Sequence, residues 1–579
     1  MTLTTTAPPQ HRPLARASRW QWRWLGWAVA VVVPVAFLVA FFAWPVAVMV
    51  VKGFVVDGRL DLSGFADVFS RPRTWRIVGL TLAQAGVATV VSVGLGVPGA
   101  YVLHRRRFPG RAAVRALVTV PFVLPTVVVG VAFRSLLVDG GPLGFLHLDG
   151  TFAAIVAALV FFNYAVVVRS VGGLWERLDP RAEQAARALG ATPWRAFRTV
   201  TLPALTPAIA SAASLVFLFC ATAFGTVLVL GGLRFGTIET EIWVQTTQFL
   251  DLRAAAVLSV VQLVVVAGAL LVAGRARTRR ERALVLATPG DAVRPLRLRR
   301  EGPRGDGHGP ALAAAALTAV VVVLLATPLV NLLVRSLRVG DHWGLDHYRA
   351  LGRTGDGLTV TVWQAAATSL RIAAVAMLVA LVVGGLVALV VSRRPLAAPA
   401  RRAIAGLDAL FMLPLGVSAV TVGFGFLVSM HEPFGLPVDL RTAWWLVPVA
   451  QAVVAVPLVV RTVLPVLRAI DPRLREAAST LGAAPGRVLR SVDLSLAARS
   501  IGLALGFAFA ASLGEFGATS FLARPDTQTL PVVVFRLIGR PGLDNYGAAL
   551  AASVVLAALT AGVVALCERL RTRDAGGEW

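Results

Sequence analysis

The chain has 579 residues, 57% of them hydrophobic and only 15% charged, with a mean hydropathy of +0.75. Soluble domains carry about 25% charged residues, so a water-soluble enzyme or scaffold is excluded and the composition is that of a polytopic membrane protein. The formal net charge of +26, from 56 Lys+Arg against 30 Asp+Glu, lies between apolar runs rather than on one soluble face. That excludes a nucleic-acid binder and matches the basic cytoplasmic loops of membrane proteins.

A helix needs about 20 apolar residues to cross a bilayer, and about twelve such spans are predicted. Residues 1–24 form a basic tail (Arg12, Arg16, Arg19, Arg23). The first half holds spans near 25–51, 78–103, 116–137, 152–174, 206–230 and 253–274. An Arg-, Gly- and Pro-rich stretch, 275–308, reads as a linker. The second half holds spans near 311–335, 366–391, 405–430, 443–466, 500–523 and 545–568, and 569–579 is a basic tail. The first apolar run is too long for the core of a cleavable signal peptide. Basic loops follow every second span: Arg105 to Arg107, Arg177 to Arg198, Arg275 to Arg304, Arg393 with Arg402, Arg468 to Arg499, and the tail. This alternation predicts cytoplasmic N- and C-termini. The loop holding Asp341, His342, His347 and Asp356 lies opposite and is balanced in charge. The expected fold is all-α: two parallel six-helix repeats related by a pseudo-two-fold axis along the membrane normal. The membrane domains are 25–274 and 309–568.

The strongest internal signal is a pair of polar segments 292 residues apart. Asp179-Pro-Arg-Ala-Glu-Gln-Ala-Ala-Arg-Ala-Leu-Gly190 recurs as Asp471-Pro-Arg-Leu-Arg-Glu-Ala-Ala-Ser-Thr-Leu-Gly482. Asp-Pro is a helix start, with Asp as cap and Pro at the first position; Gly stands where a helix end wants positive φ. A second amphipathic stretch follows each (Pro193 to Arg198; Pro485 to Arg490). The prediction is a helix–turn–helix elbow in each cytoplasmic loop, 175–205 and 467–497. One such elbow could merely anchor to lipid; two matched copies point to docking on a two-fold partner. At the same offset Phe224-Gly225 falls on Phe516-Gly517, and Thr237-Ile238 on Thr529-Leu530.

These loops resemble those of permease subunits of ATP-binding-cassette importers, whose signature is Glu-Ala-Ala, three residues, then Gly. Glu476, Ala477, Ala478 and Gly482 match in full; the first copy has Gln184, Ala185, Ala186 and Gly190, with Glu183 beside the departure. Phe197 and Pro203 fit the trailing pattern, and Ser495 replaces the second closing Pro. Fused permeases of this length resemble the thiamine and ferric-iron importers. Arg105 to Arg111, Cys220 to Gly232, and Leu513 to Gly517 with Thr529 to Pro531 are similar to the thiamine branch. The resemblance implies alternating access in an inner or plasma membrane. It implies two copies of a cytoplasmic ATPase that use ATP and Mg, an extracytoplasmic substrate-binding protein, and a small cationic cargo, thiamine or ferric iron.

No cofactor, metal or catalytic set is expected in this chain. It has no phosphate-binding G-x-x-x-x-G-K-[ST] sequence, and the Gly94, Gly96, Gly99 pattern lies inside a span, where it reads as helix packing. Cys220 and Cys567 lie in apolar runs, and the seven His are not paired at metal-ligand spacing within a span. Polar residues in spans are costly. Asn163 and Glu515 are candidate pathway residues, and a carboxylate suits either cargo. Gln451, Arg169, Arg371 and Arg461 are also within or near spans. Glu239 and Glu241, after the fifth span, read as a solvated loop or a contact for the binding protein. The alternative is an ion-gradient-driven twelve-helix secondary transporter, which needs more intramembrane ionisable residues and no paired elbows.

Overall fold

The computed structural model describes residues 16–56, 58–232, 234–278, 294–295, 308–354, 358–393 and 397–573. The start of the N-terminal tail, most of the linker expected over 275–308 and the end of the C-terminal tail lie outside the described residues. The first half runs α1 (Arg16–Leu38), α2 (Trp44–Phe54), α3 (Pro72–Arg105), α4 (Arg111–Val123), α5 (Thr126–Leu137), α6 (Phe152–Trp175), α7 (Arg181–Ala188), α8 (Pro193–Ala221), α9 (Gly225–Gly231), α10 (Ile238–Thr247) and α11 (Leu252–Thr278). The second runs α12 (His308–Ser336), α13 (Val362–Val391), α14 (Ala398–Met412), α15 (Ala419–Ser429), α16 (Leu446–Ala469), α17 (Pro472–Thr480), α18 (Pro485–Leu513), α19 (Thr519–Leu522), α20 (Leu530–Ile538) and α21 (Leu543–Arg573). The protein is an all-α polytopic membrane protein.

With α1 and α2 counted as one span, continuous through a π turn at Val39–Ala43, ten helices are long and apolar enough to cross a membrane, or eleven if α4 and α5, bent by 106°, count as one. Four expected spans are not single helices: the fifth and eleventh stop short, at Ala221 and Leu513, and the third and ninth break near their middles. Leu124 precedes Pro125, whose ring disfavours helical backbone at the residue before it, and Leu124 is extended (φ −69°, ψ 142°). The apolar run hides that break, which the Pro alone signals. In the ninth span a 3-10 turn over Leu413–Gly416 separates α14 from α15, which Ser418 restarts by accepting the Thr421 amide at 3.0 Å. Non-helical backbone at membrane depth must be enclosed by protein, and Val127 to Ala132 of α5 and Val420 to Phe426 of α15 are buried.

The sequence boundary between the halves is not a packing boundary. α1 and α2 lie against α13 and α15 of the second half, with the Gly425 backbone against Pro45. Reciprocally, α12 lies against α3 and α5. There Asn331 Nδ2 donates to Ser135 Oγ at 2.9 Å and Arg335 donates to the Ser135 carbonyl at 2.6 Å. Val321 and Leu325 join the first half's apolar core. Lipid gives helices no hydrophobic reason to associate, so close packing and polar contacts hold them; each half contributes its opening helix to the other.

One close approach fixes α15. A Cβ added at Gly423 would sit 2.5 Å from Ala518 Cα and 2.9 Å from the Ala518 carbonyl oxygen, both backbone atoms. Gly423→Val should destabilise the folded protein by about 3 kcal/mol through overpacking, read as a lowered Tm of the detergent-solubilised chain; a native Tm would mean that the α15 backbone can shift.

Candidate functional site

Each elbow forms from local signals. Asp471 Oδ1 accepts the Arg473 amide at 2.9 Å with Pro472 at the first turn of α17, and Asp179 Oδ1 accepts the Arg181 amide at 2.9 Å. Both helices end in a Schellman motif. Gly190 (φ +89°) donates to the Arg187 carbonyl and Ala191 to that of Ala186; Gly482 (φ +83°) and Ala483 do the same to Ser479 and Ala478. Such φ values favour glycine.

No residue of α7 or α17 is buried. Gln184, Ala185, Glu476 and Ala477 are exposed, and Ala186 and Ala478 are half-buried. Sequence reasoning missed Leu189 and Leu481, the residues before the two glycines: each is 89% exposed. Two leucines at one register of two matched polar helices form a pair of apolar tips that water does not favour. The Leu-Gly repeated at both helix ends was the available signal.

The first two positions of each Glu-Ala-Ala match are exposed, while neighbouring residues tie α7 and α17 inward. Glu183 Oε2 accepts from Thr201 Oγ1 at 3.2 Å. The positions 292 residues on are Arg475 and Asp493, and Arg475 Nε donates to Asp493 Oδ1 at 2.7 Å. Asp493 is 1% exposed and also takes Arg393 at 2.8 Å. Thr201 and Asp493 lie in π-helical turns, Phe197–Thr201 and Leu489–Leu494, at matched places in α8 and α18. Pro203 follows the first turn and Ser495 the second, so the proline is not what makes the π turn. Aromatic stacking braces the first elbow (Trp175–Phe197 at 5.9 Å, Trp194–Phe197 at 5.6 Å); the second has Leu467, Leu489 and Gly486 there.

Nearby, the same two helices of each half are pinned with reversed polarity. Glu176, at the end of α6, meets Arg115 and, at 3.3 Å, Arg111 of α4. Arg468 of α16 meets Asp408 of α14 at 3.1 Å. Burial alone would push the Glu176 carboxyl up, but the Arg115 guanidinium and His104 hold it below the usual carboxylate range.

α8 and α18 are the connection inward. Each is a continuous helix of 29 residues, about 43 Å long at 1.5 Å per residue, running from the elbow to a break, Thr222 to Phe224 or Gly514 to Ala518. Glu515 lies in the second break with both oxygens engaged: Oε1 accepts the Ala518 amide at 2.7 Å, and Oε2 accepts the Thr519 amide at 3.0 Å and the Thr519 hydroxyl at 2.5 Å. Gln451 joins by donating to Thr519 Oγ1 at 3.0 Å. Asn163 is fully buried within the first half, donating to the Leu159 carbonyl at 2.9 Å and to Cys220 Sγ at 3.3 Å. The structure therefore does not bring Asn163 and Glu515 together.

Glu239 and Glu241 are not in a solvated loop, because α10 folds back into the protein: they are 0% and 4% exposed. Glu239 bridges the halves, accepting from Gln262 Nε2 at 2.8 Å and from Ser418 Oγ at 2.7 Å. Glu241 pairs with Arg73 at 2.9 Å. Among the described residues no group of three or more His, Cys, Asp or Glu could hold a metal ion.

Residues 92–280 match the family described as binding-protein-dependent transport system inner membrane component. The sulfate transport system permease protein CysT of Escherichia coli is 33% identical over 212 residues, covering 35% of this chain and 76% of that protein. The chain belongs to this family. It is the membrane-spanning permease subunit of an ATP-binding-cassette importer, a family in which the ATPase is a separate subunit. The thiamine transport system permease protein ThiP of Escherichia coli is 29% identical over 479 residues, 80% of this chain and 84% of that one. A solved bacterial ABC transporter that imports the acidic polysaccharide alginate is 18% identical with a TM-score of 0.39, covering 46% of this chain and 99% of that chain.

Proposed function

We propose that this permease imports thiamine, or a closely similar cationic heteroaromatic molecule. The observation that carries the reading is the match to ThiP across both repeats, whereas CysT aligns with about a third of the chain. An extracytoplasmic binding protein delivers the cargo. Two copies of a cytoplasmic ATPase, which use ATP and Mg, grip α7 and α17, with both termini of this chain on the same side of the membrane as the ATPases. ATP-driven closure of the ATPases draws the elbows together, and α8 and α18 carry that motion to the breaks between the halves. The cargo-loaded binding protein must favour one state of the permease over the other, or hydrolysis is not coupled to transport.

The test is uptake of radiolabelled thiamine, ferric iron and sulfate by proteoliposomes holding the permease, its ATPase and the matching binding protein, with an ATPase-dead control. ATP-dependent uptake of thiamine alone is expected. Uptake of iron or sulfate without thiamine would overturn the cargo. Thiamine uptake that survives the dead ATPase and collapses with the proton gradient would overturn the ATP-driven mechanism.

The elbows need not contribute equally. Glu476→Lys should lower thiamine-stimulated ATP hydrolysis on the order of tenfold, as a reversed charge at an interface does, and Gln184→Lys by much less, because only Glu476 places a carboxylate at that register. Equal losses would count against the asymmetry.

A further inference from the structure

The offset of 292 residues pairs Phe224 with Phe516, and Trp243 with Phe535. The two members of each pair touch. Phe224 and Phe516 stack with centroids 5.3 Å apart and planes 17° apart, and Trp243 meets Phe535 edge-on at 5.9 Å. Neighbours within each half also touch, Phe224–Trp243 at 6.4 Å and Phe516–Phe535 at 5.2 Å. The four rings make a closed circuit. Residues related by a pseudo-two-fold can meet their own mates only beside the axis, so this circuit lies on the axis between the two halves. Phe224 and Phe516 are 6% and 2% exposed, so the route along the axis is shut at this level.

Three further observations separate the circuit from ordinary core packing. Phe224 and Phe516 stand in the breaks that end α8 and α18, so the rods that begin at the docking elbows terminate at this ring pair. Glu515, adjacent to Phe516, has both oxygens engaged by backbone amides and a hydroxyl, which fixes the break that positions the Phe516 ring. The Trp243 Nε1 donor is buried with no hydrogen-bond partner, although buried indole N–H groups usually find one.

We infer that Phe224, Trp243, Phe516 and Phe535 form the gate on the transport axis and also its cargo contact, parting to admit a flat heteroaromatic cation between their faces. The rings offer stacking and cation–π attraction, and the Trp243 N–H supplies one donor for a ring nitrogen or hydroxyl of the cargo. Such a surface suits a delocalised organic cation, and it gives a hydrated metal ion or an oxyanion nothing to replace its water. The gate follows from geometry alone; the cargo contact rests on the thiamine reading.

Two measurements on the full complex in proteoliposomes test the two parts separately. The first needs no cargo assignment: ATP-independent efflux of trapped choline. Phe224→Ala with Phe516→Ala should raise it at least tenfold over the native chain, and Phe224→Leu with Phe516→Leu, which keeps bulk, should raise it less. Efflux at the native rate from the Ala pair, in a complex that still co-purifies with its ATPase, overturns the gate. The second is the thiamine KM: Trp243→Leu should raise it about tenfold, whereas Trp243→Phe, which keeps a ring and loses the donor, should raise it only a few-fold. A native KM in both variants overturns the cargo contact and leaves the rings as packing. If the native chain moves no thiamine, the cargo reading and the contact built on it fall together, and the choline result decides the gate by itself.

Discussion

Leu189→Asp with Leu481→Asp should strip the permease of its ATPase without unfolding it. Each leucine is 89% exposed at the end of an elbow helix, where the adjacent glycine sets the turn geometry. Burying one leucine against a partner is worth about 2 kcal/mol, and an aspartate would also have to be desolvated. One substitution should therefore weaken ATPase binding about thirtyfold and the pair roughly a thousandfold. Nothing in the permease packs on these side chains to any extent, so its own Tm should stay native. The check is titration of the purified ATPase onto detergent-solubilised permease, with the Tm measured in parallel. Native affinity in the double variant would mean that the partner grips the sides of α7 and α17 and not their ends.

The elbows were legible in the sequence because everything that makes them is local. Asp-Pro starts each helix, Gly stops it, and the two copies are nearly ungapped. The pseudo-symmetry was legible for the same reason, since one offset aligns the elbows and the Phe-Gly pairs beyond them. Tertiary decisions were not. Glu239 and Glu241 sit in a stretch that reads as a loop, and their partners come from other helices: Gln262 on the next one, and Arg73 and Ser418 from far away in the chain. The exchange of α1–α2 and α12 between halves has no local mark, because an apolar helix reads the same whichever half it covers. The third span was expected as a single helix, although Pro125 disfavours helical backbone at Leu124; hydropathy averages over such a break. The aromatic circuit lay in between. Phe224 and Phe516 were aligned by the repeat, but Trp243 and Phe535 become its partners only when α10 and α20 fold back to the axis.

The second large effect concerns transmission, at Asp493. Its carboxylate joins Arg475 on α17 to Arg393 beyond α13, and its side chain is 2% exposed while the two arginines are 18% and 27% exposed. Removing one partner of a buried pair costs about 3–5 kcal/mol; with both arginines able to reach water, Asp493→Ala should cost nearer 2 kcal/mol. The functional loss should exceed the loss of stability. The ATPase still has α17 to hold, so the complex should assemble and hydrolyse ATP, but α17 is no longer tied to the π turn of α18. Thiamine uptake should fall at least tenfold per ATP hydrolysed. The first half shows another way to make the same tie, with Glu183 and Thr201 at the equivalent positions. Arg475→Glu together with Asp493→Thr should therefore recover a substantial part of the uptake that Asp493→Thr alone loses. The uptake-to-hydrolysis ratio of the three variants decides the matter. Native coupling in Asp493→Thr alone would show that α17 drives α18 through the backbone of the elbow and that the buried carboxylate serves only to hold Arg393. Rescue by the paired change would show that the two elbows use one mechanical link built from different charges.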